Sequence, residues 1–94
     1  MERPDYDKLP ESLRYGARLW IEQGILPGDF LTAVIKNDLM EAFSRADDEN
    51  TLRMRGIVSW WYNEAPGMCW GSEEKIRHWA EARAKEKKLK EAGT

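Results

Sequence analysis

Apolar residues recur along this chain at helical spacing. Leu13, Gly16, Ala17, Trp20, Ile21 and Gly24 fall at i, i+3, i+4, i+7, i+8 and i+11, one stripe of a 3.6-residue period. Pro10 suits a first turn, Glu11 complements its positive end, and Gly24 suits the residue that closes the last turn. The pattern predicts a first helix over 10–23. Ile25-Leu26-Pro27-Gly28 reads as a turn apolar enough to pack. Asp29 is a good N-cap for a second helix over 29–46, with Leu31, Val34, Ile35, Leu39, Ala42, Phe43 and Ala46 as its inner stripe. Asp38 interrupts that stripe. A carboxylate on or beside an apolar helix face must be hydrogen-bonded or paired, because burying it alone costs several kcal/mol.

Arg45 to Asn50 is a polar connector, with Asp48 or Asn50 available to cap a third helix over 51–63. Met54, Ile57, Val58 and Trp61 form its inner stripe, and Leu52, Gly56 and Trp60 lie on a flanking line. So wide an apolar arc predicts cover from two sides, either as a central helix or as an oligomer contact. Ala65-Pro66-Gly67 ends this helix. Ser72 caps a fourth, with Glu73 and Glu74 in its first turn and Ile76, Trp79, Ala80 and Arg83 facing inward. Past Arg83 the apolar pattern fades and fraying is expected. With no alternating strand pattern and no internal repeat, the expectation is an all-α protein, a small bundle of about four short helices joined by tight turns. Residues 1–8 read as a flexible arm, 9–82 as the helical domain and 83–94 as a charged helix end or tail.

Composition narrows the function classes. Ninety-four residues make one domain, which buries roughly 60–65% of its unfolded surface, so self-association is an expected supplement to the core. Cys69 is the one cysteine and His78 the one histidine, so neither an intrachain disulfide nor a Cys/His metal set is available. A charged N-terminus and the lack of a long apolar run predict neither a secretory signal nor a membrane span, and place the protein in the cytoplasm. The net charge of −2 argues against general DNA binding through phosphate neutralisation. Arg83, Lys85, Lys87, Lys88 and Lys90, interleaved with Glu81, Glu86 and Glu91, read as a solvated helix end.

The unexplained residues gather at one corner. Ser59 to Ser72 holds three of the five tryptophans, Trp60, Trp61 and Trp70. Trp61 and Trp79 lie on inner stripes. Trp60, Trp61 and Tyr62 cannot share one helix face, since neighbours are turned by about 100°, so at least one is expected to be partly exposed. Exposed tryptophan or tyrosine on a rigid helix end serves as a binding hot spot or a base-stacking platform. The Gly71-Ser72 helix start offers amides that favour an anion, although Ser72 as an ordinary cap is the simpler reading. Asn37, Asp38, Arg45, Asp47, Asp48, Asn63 and Glu64 form a polar set. In it Asp38 and Arg45, with Arg53 or Arg55 from the third helix, make either a structural ion-pair network or a pocket floor. No nucleophile, metal cluster or histidine completes a catalytic constellation, and Cys69 lacks an activating base. The sequence points to no enzyme and no cofactor.

Pro27-Gly28-Asp29-Phe30-Leu31-Thr32-Ala33-Val34, Asn37-Asp38-Leu39, Arg45-Ala46-Asp47, Ile57-Val58-Ser59-Trp60, Tyr62-Asn63-Glu64-Ala65-Pro66 and Trp70-Gly71-Ser72 resemble a group of small uncharacterised helical proteins of tailed bacteriophages and prophages. The likeness spans roughly residues 9–80. It carries over no functional residues and implies context alone: action on host processes or host defence, in the host cytosol. Two readings follow. In the first, a non-catalytic binder sequesters a nucleotide signal: Trp60, Tyr62 or Trp70 stacks the base, Ser72 and Arg45 hold phosphate, and Asn63 or Asp38 reads polar edges. In the second, a protein-interaction module inhibits or redirects a host enzyme, with Trp60 and Tyr62 as hot spots. A structural role in the virion is a third, and some homo-oligomerisation fits all three.

Overall fold

A computed structural model describes residues 4–92, and every regular element among them is helical. A 3-10 turn over Tyr6–Lys8 precedes α1 (Glu11–Gln23), α2 (Asp29–Ile35), α3 (Leu39–Arg45), α4 (Asp48–Leu52) and α5 (Met54–Glu64). A second 3-10 turn, Gly67–Cys69, leads into α6 (Glu73–Ala92). The all-α class holds. The expected second and third helices are each two.

The first break has a local cause. Asn37 adopts φ 63°, a left-handed conformation that asparagine tolerates better than most residues. Its N–H bonds to the carbonyl of Val34 at 3.0 Å and that of Asp38 to Ala33 at 2.9 Å, the paired closing bonds of a left-handed helix end. Asp38 then starts α3, its carboxylate accepting the amide of Glu41 at 3.2 Å. The expectation of Asp38 inside a continuous helix is therefore corrected: it is an exposed cap, and its hydrogen-bonding need is met by backbone. At the second break Asp47, rather than Asp48 or Asn50, caps α4 by accepting the amide of Asn50 at 2.7 Å, and the chain turns again at Arg53.

Trp20, fully buried on α1, organises the core. Its indole N–H donates to the carbonyl of Cys69 at 2.8 Å, and its own carbonyl accepts from the indole of Trp79 at 3.1 Å. One residue thus ties α1 to the Gly67–Cys69 turn through its side chain and to α6 through its backbone carbonyl. Gly24 closes α1 at φ 70° where α6 crosses, and a Cβ there would lie 2.7 Å from that of Arg83. The glycine meets two demands at once, left-handed backbone and close approach. Ile25 and Leu26, expected to pack, stand half exposed.

Of the expected arm over 1–8, residues 4–8 are described, and they sit on the core. Tyr6 is buried against Trp60, and the carbonyl of Asp5 accepts the Trp60 indole N–H at 2.8 Å. At the other end α6 is helical to Ala92, over the charged stretch where the apolar pattern fades.

Candidate functional site

Helix α3 is short and mostly faces out. Of its residues only Ala42 is buried, while Leu39 (64% exposed), Met40 (82%) and Phe43 form an apolar ridge. Leu39 and Phe43 are one turn apart, so they share a face. On α5 the half-exposed Val58 and Tyr62 (74% exposed) repeat that spacing. Between the ridges lies a cleft of about 90 Å³, lined on its apolar side by Val34, Leu39, Ala42, Met54, Val58 and Trp61. Trp70 closes it, with its ring edge-on to Tyr62 at 6.1 Å, and Asn37 and Asp38 add the polar rim. Several large apolar side chains exposed side by side around a cleft are uncommon on a self-sufficient surface, and patches beyond a few hundred Å² usually mark interaction sites.

Two donors at this cleft lack acceptors. The indole nitrogens of Trp61 and Trp70 are both buried without a hydrogen-bond partner, each at a cost of about 1–3 kcal/mol. The other three indoles are satisfied, by Cys69, Asp5 and Trp20.

The residues predicted for binding divide among several places. Asp38 and Trp70 share the cleft, and Tyr62 touches Trp70. Trp60 is 3% exposed, because the aromatic turn at Tyr6 covers the face that the sequence left open. Asn63 bonds back to the carbonyl of Ser59 at 2.9 Å within α5. Ser72 accepts the amide of Lys75 at 3.2 Å, so its hydroxyl serves as a cap. Arg45 pairs with Glu41 at 2.7 Å and Asp29 at 3.6 Å. The hydrogen bond that Arg45 donates to Glu41, then the charges of Glu41 and Asp29, raise its pKa above the ordinary arginine value. The expected Asp38–Arg45 pairing is replaced by these contacts, and Arg53 pairs with Glu49 at 3.8 Å. For a nucleotide the cleft offers the rings of Trp61 and Trp70, but a carboxylate rather than a cation at its rim.

Sequence reasoning missed α3 as a surface. The apolar period places Leu39 and Phe43 on the inner stripe of a long helix, and the break at Asn37 turns them out. The signal was present: Asn37-Asp38 with Glu41 three residues on is the pattern of a helix end followed by a capped start.

Among the described residues no group of three or more His, Cys, Asp or Glu side chains is placed to hold a metal ion. No helix there is long and apolar enough to cross a membrane. Burial drives the Cys69 thiol up to about 12, opposed by its own backbone hydrogen bond and the charges of Arg83 and Lys75, which leaves it un-ionised at neutral pH. No family model, curated protein or solved structure matches the chain.

Proposed function

We infer that this chain is a non-catalytic protein-interaction module that grips an apolar segment of another protein with the α3–α5 face. One observation carries the reading: the exposed Leu39 of α3 and Val58 of α5 line an apolar cleft with Trp61 and Trp70, and the same two helices also leave Met40, Phe43 and Tyr62 exposed, Tyr62 against Trp70. Rigid aromatic and aliphatic side chains around a pocket are the usual anchors of an interface, and a flat polar surface would offer none. The phage resemblance makes the partner a host protein, inhibited or redirected by occupation of one of its surfaces. Trp60, buried under the N-terminal turn, serves the scaffold, and the contact role passes to Val58 and Tyr62.

The test uses the intact chain as bait in host lysate beside two surface variants, Met40→Glu and Val58→Glu. Met40 is exposed and Val58 half exposed, and the helical circular dichroism and thermal midpoint of each variant check that the fold is retained. The expected result is one dominant partner, lost from both variants. Capture that survives both substitutions would remove this face from the function.

A further inference from the structure

We propose that the segment received at this face is a cationic amphipathic helix, with an apolar side chain seated in the cleft and a lysine or arginine about one turn away paired with Asp38. This rests on the docking reading above and names the chemistry of its partner.

The shape calls for a helix. Leu39 and Val58 both line the cleft, and each has an exposed apolar neighbour one turn further along its helix, Phe43 and Tyr62, so the apolar surface repeats at the spacing of a helical turn. A helix laid on such a surface presents anchors at i, i+3 and i+4, and the cleft has room for one aliphatic side chain.

The charge calls for a cation. Asp38 lines both the cleft and the adjoining hollow that it shares with Lys36, Met40, Ser72 and Glu73. In that hollow Lys36 and Glu73 neutralise each other at 3.5 Å, and on α3 Arg45 holds Glu41 at 2.7 Å. Asp38 makes no ion pair among the described residues; its carboxylate accepts the Glu41 amide and is otherwise open to solvent. Any occupant that covers the cleft takes water from this carboxylate. An apolar or acidic neighbour leaves that cost uncompensated, whereas an ammonium or guanidinium offsets it. The same carboxylate therefore rejects acidic helices and selects basic ones.

The experiment measures three amidated, N-acetylated helical peptides by fluorescence anisotropy against the full chain. All carry leucine anchors at i and i+4, and they differ at one flanking position, which is arginine, glutamine or glutamate. Each is measured with the native protein and with Asp38→Asn, a substitution that keeps an N-cap of equal quality and so preserves α3. Light scattering of the chain alone runs alongside. The expected result is about threefold tighter binding of the arginine peptide than of the glutamine peptide, weaker binding still for the glutamate peptide, and loss of this order in Asp38→Asn. Equal binding of all three overturns the cationic partner and leaves the docking face standing. Binding of none overturns both. A dimer that Val58→Glu dissolves and no peptide displaces gives the face to a second copy of the chain, and this too overturns the proposal.

Discussion

The indole N–H of Trp60 donates to the backbone carbonyl of Asp5 at 2.8 Å, across 55 residues of chain. With the Tyr6 ring 5.7 Å from the Trp60 ring, this bond converts a tryptophan on the open side of α5 into core. Trp60→Phe keeps most of the packing and loses the donor, so urea unfolding is expected to show a loss of about 1–2 kcal/mol. Tyr6→Ala removes the cover itself and should cost about 3 kcal/mol, with a red shift of tryptophan emission as the indole meets water.

Glu64 clamps the same N-terminal turn. Its carboxylate accepts the amide of Asp5 at 3.1 Å and faces the Lys8 ammonium at 3.2 Å. The Asp5 hydrogen bond first, and the Lys8 bond next, hold its pKa below the ordinary glutamate value. A lowered carboxylate pKa contributes stability that is complete above the unfolded-state pKa and is lost as pH falls through the folded one. The acid limb of the native stability profile should therefore be steeper than that of Glu64→Gln, the two curves converging at the lowest pH. Parallel acid limbs would show that the clamp contributes nothing.

Two glycines should respond in opposite directions. Gly24→Ala forces φ 70° on a residue with a Cβ and drives that atom against Arg83 Cβ at 2.7 Å, for an expected loss of about 1–3 kcal/mol. Gly56, on the exposed side of α5, has nothing within 4 Å of a built Cβ, so Gly56→Ala should gain about 0.5–1 kcal/mol. Thermal midpoints of the pair give the comparison in one experiment.

The indole donors allow a matched test. Trp20→Phe leaves the buried Cys69 carbonyl without its 2.8 Å partner, whereas Trp61→Phe removes a donor that has none. Both leave a similar void. Trp20→Phe is expected to be the more damaging by about 1–3 kcal/mol in denaturant unfolding.

Cys69 is fully buried and its thiol titrates at about 12. A thiol-reactive dye at pH 8 should label the native protein only as fast as the protein opens, with full labelling in denaturant. Rapid native labelling would mean that the Gly67–Cys69 turn opens locally.

The start and end of α1, the cap at Ser72, the stop at Pro66 and the burial of Ala17, Trp20, Ile21, Ile57 and Trp61 were all legible in the chain. Each depends on residues within a turn or two. The division of the 29–46 segment was legible in principle, since Asn37, Asp38 and Glu41 write a helix end and a new start, but the continuous apolar stripe concealed it. The candidate site was half legible. Tyr62, Trp70 and Asp38 lie on or next to the cleft, while Trp60, Asn63, Ser72 and Arg45 have local or scaffold duties.

By itself, then, the sequence determined the helical class, both ends of α1, the starts of α2 and α6, and the burial of Trp20 and Trp61, because hydrophobic period and capping chemistry are short-range properties. Only the tertiary structure decided which apolar face remained uncovered. Trp60 went inside because Tyr6 and Asp5, far away in the chain, came to lie on it, and Leu39, Met40 and Phe43 stayed outside because one left-handed residue redirected α3. Exposure depends on what arrives from elsewhere in the chain, and no local pattern encodes that arrival.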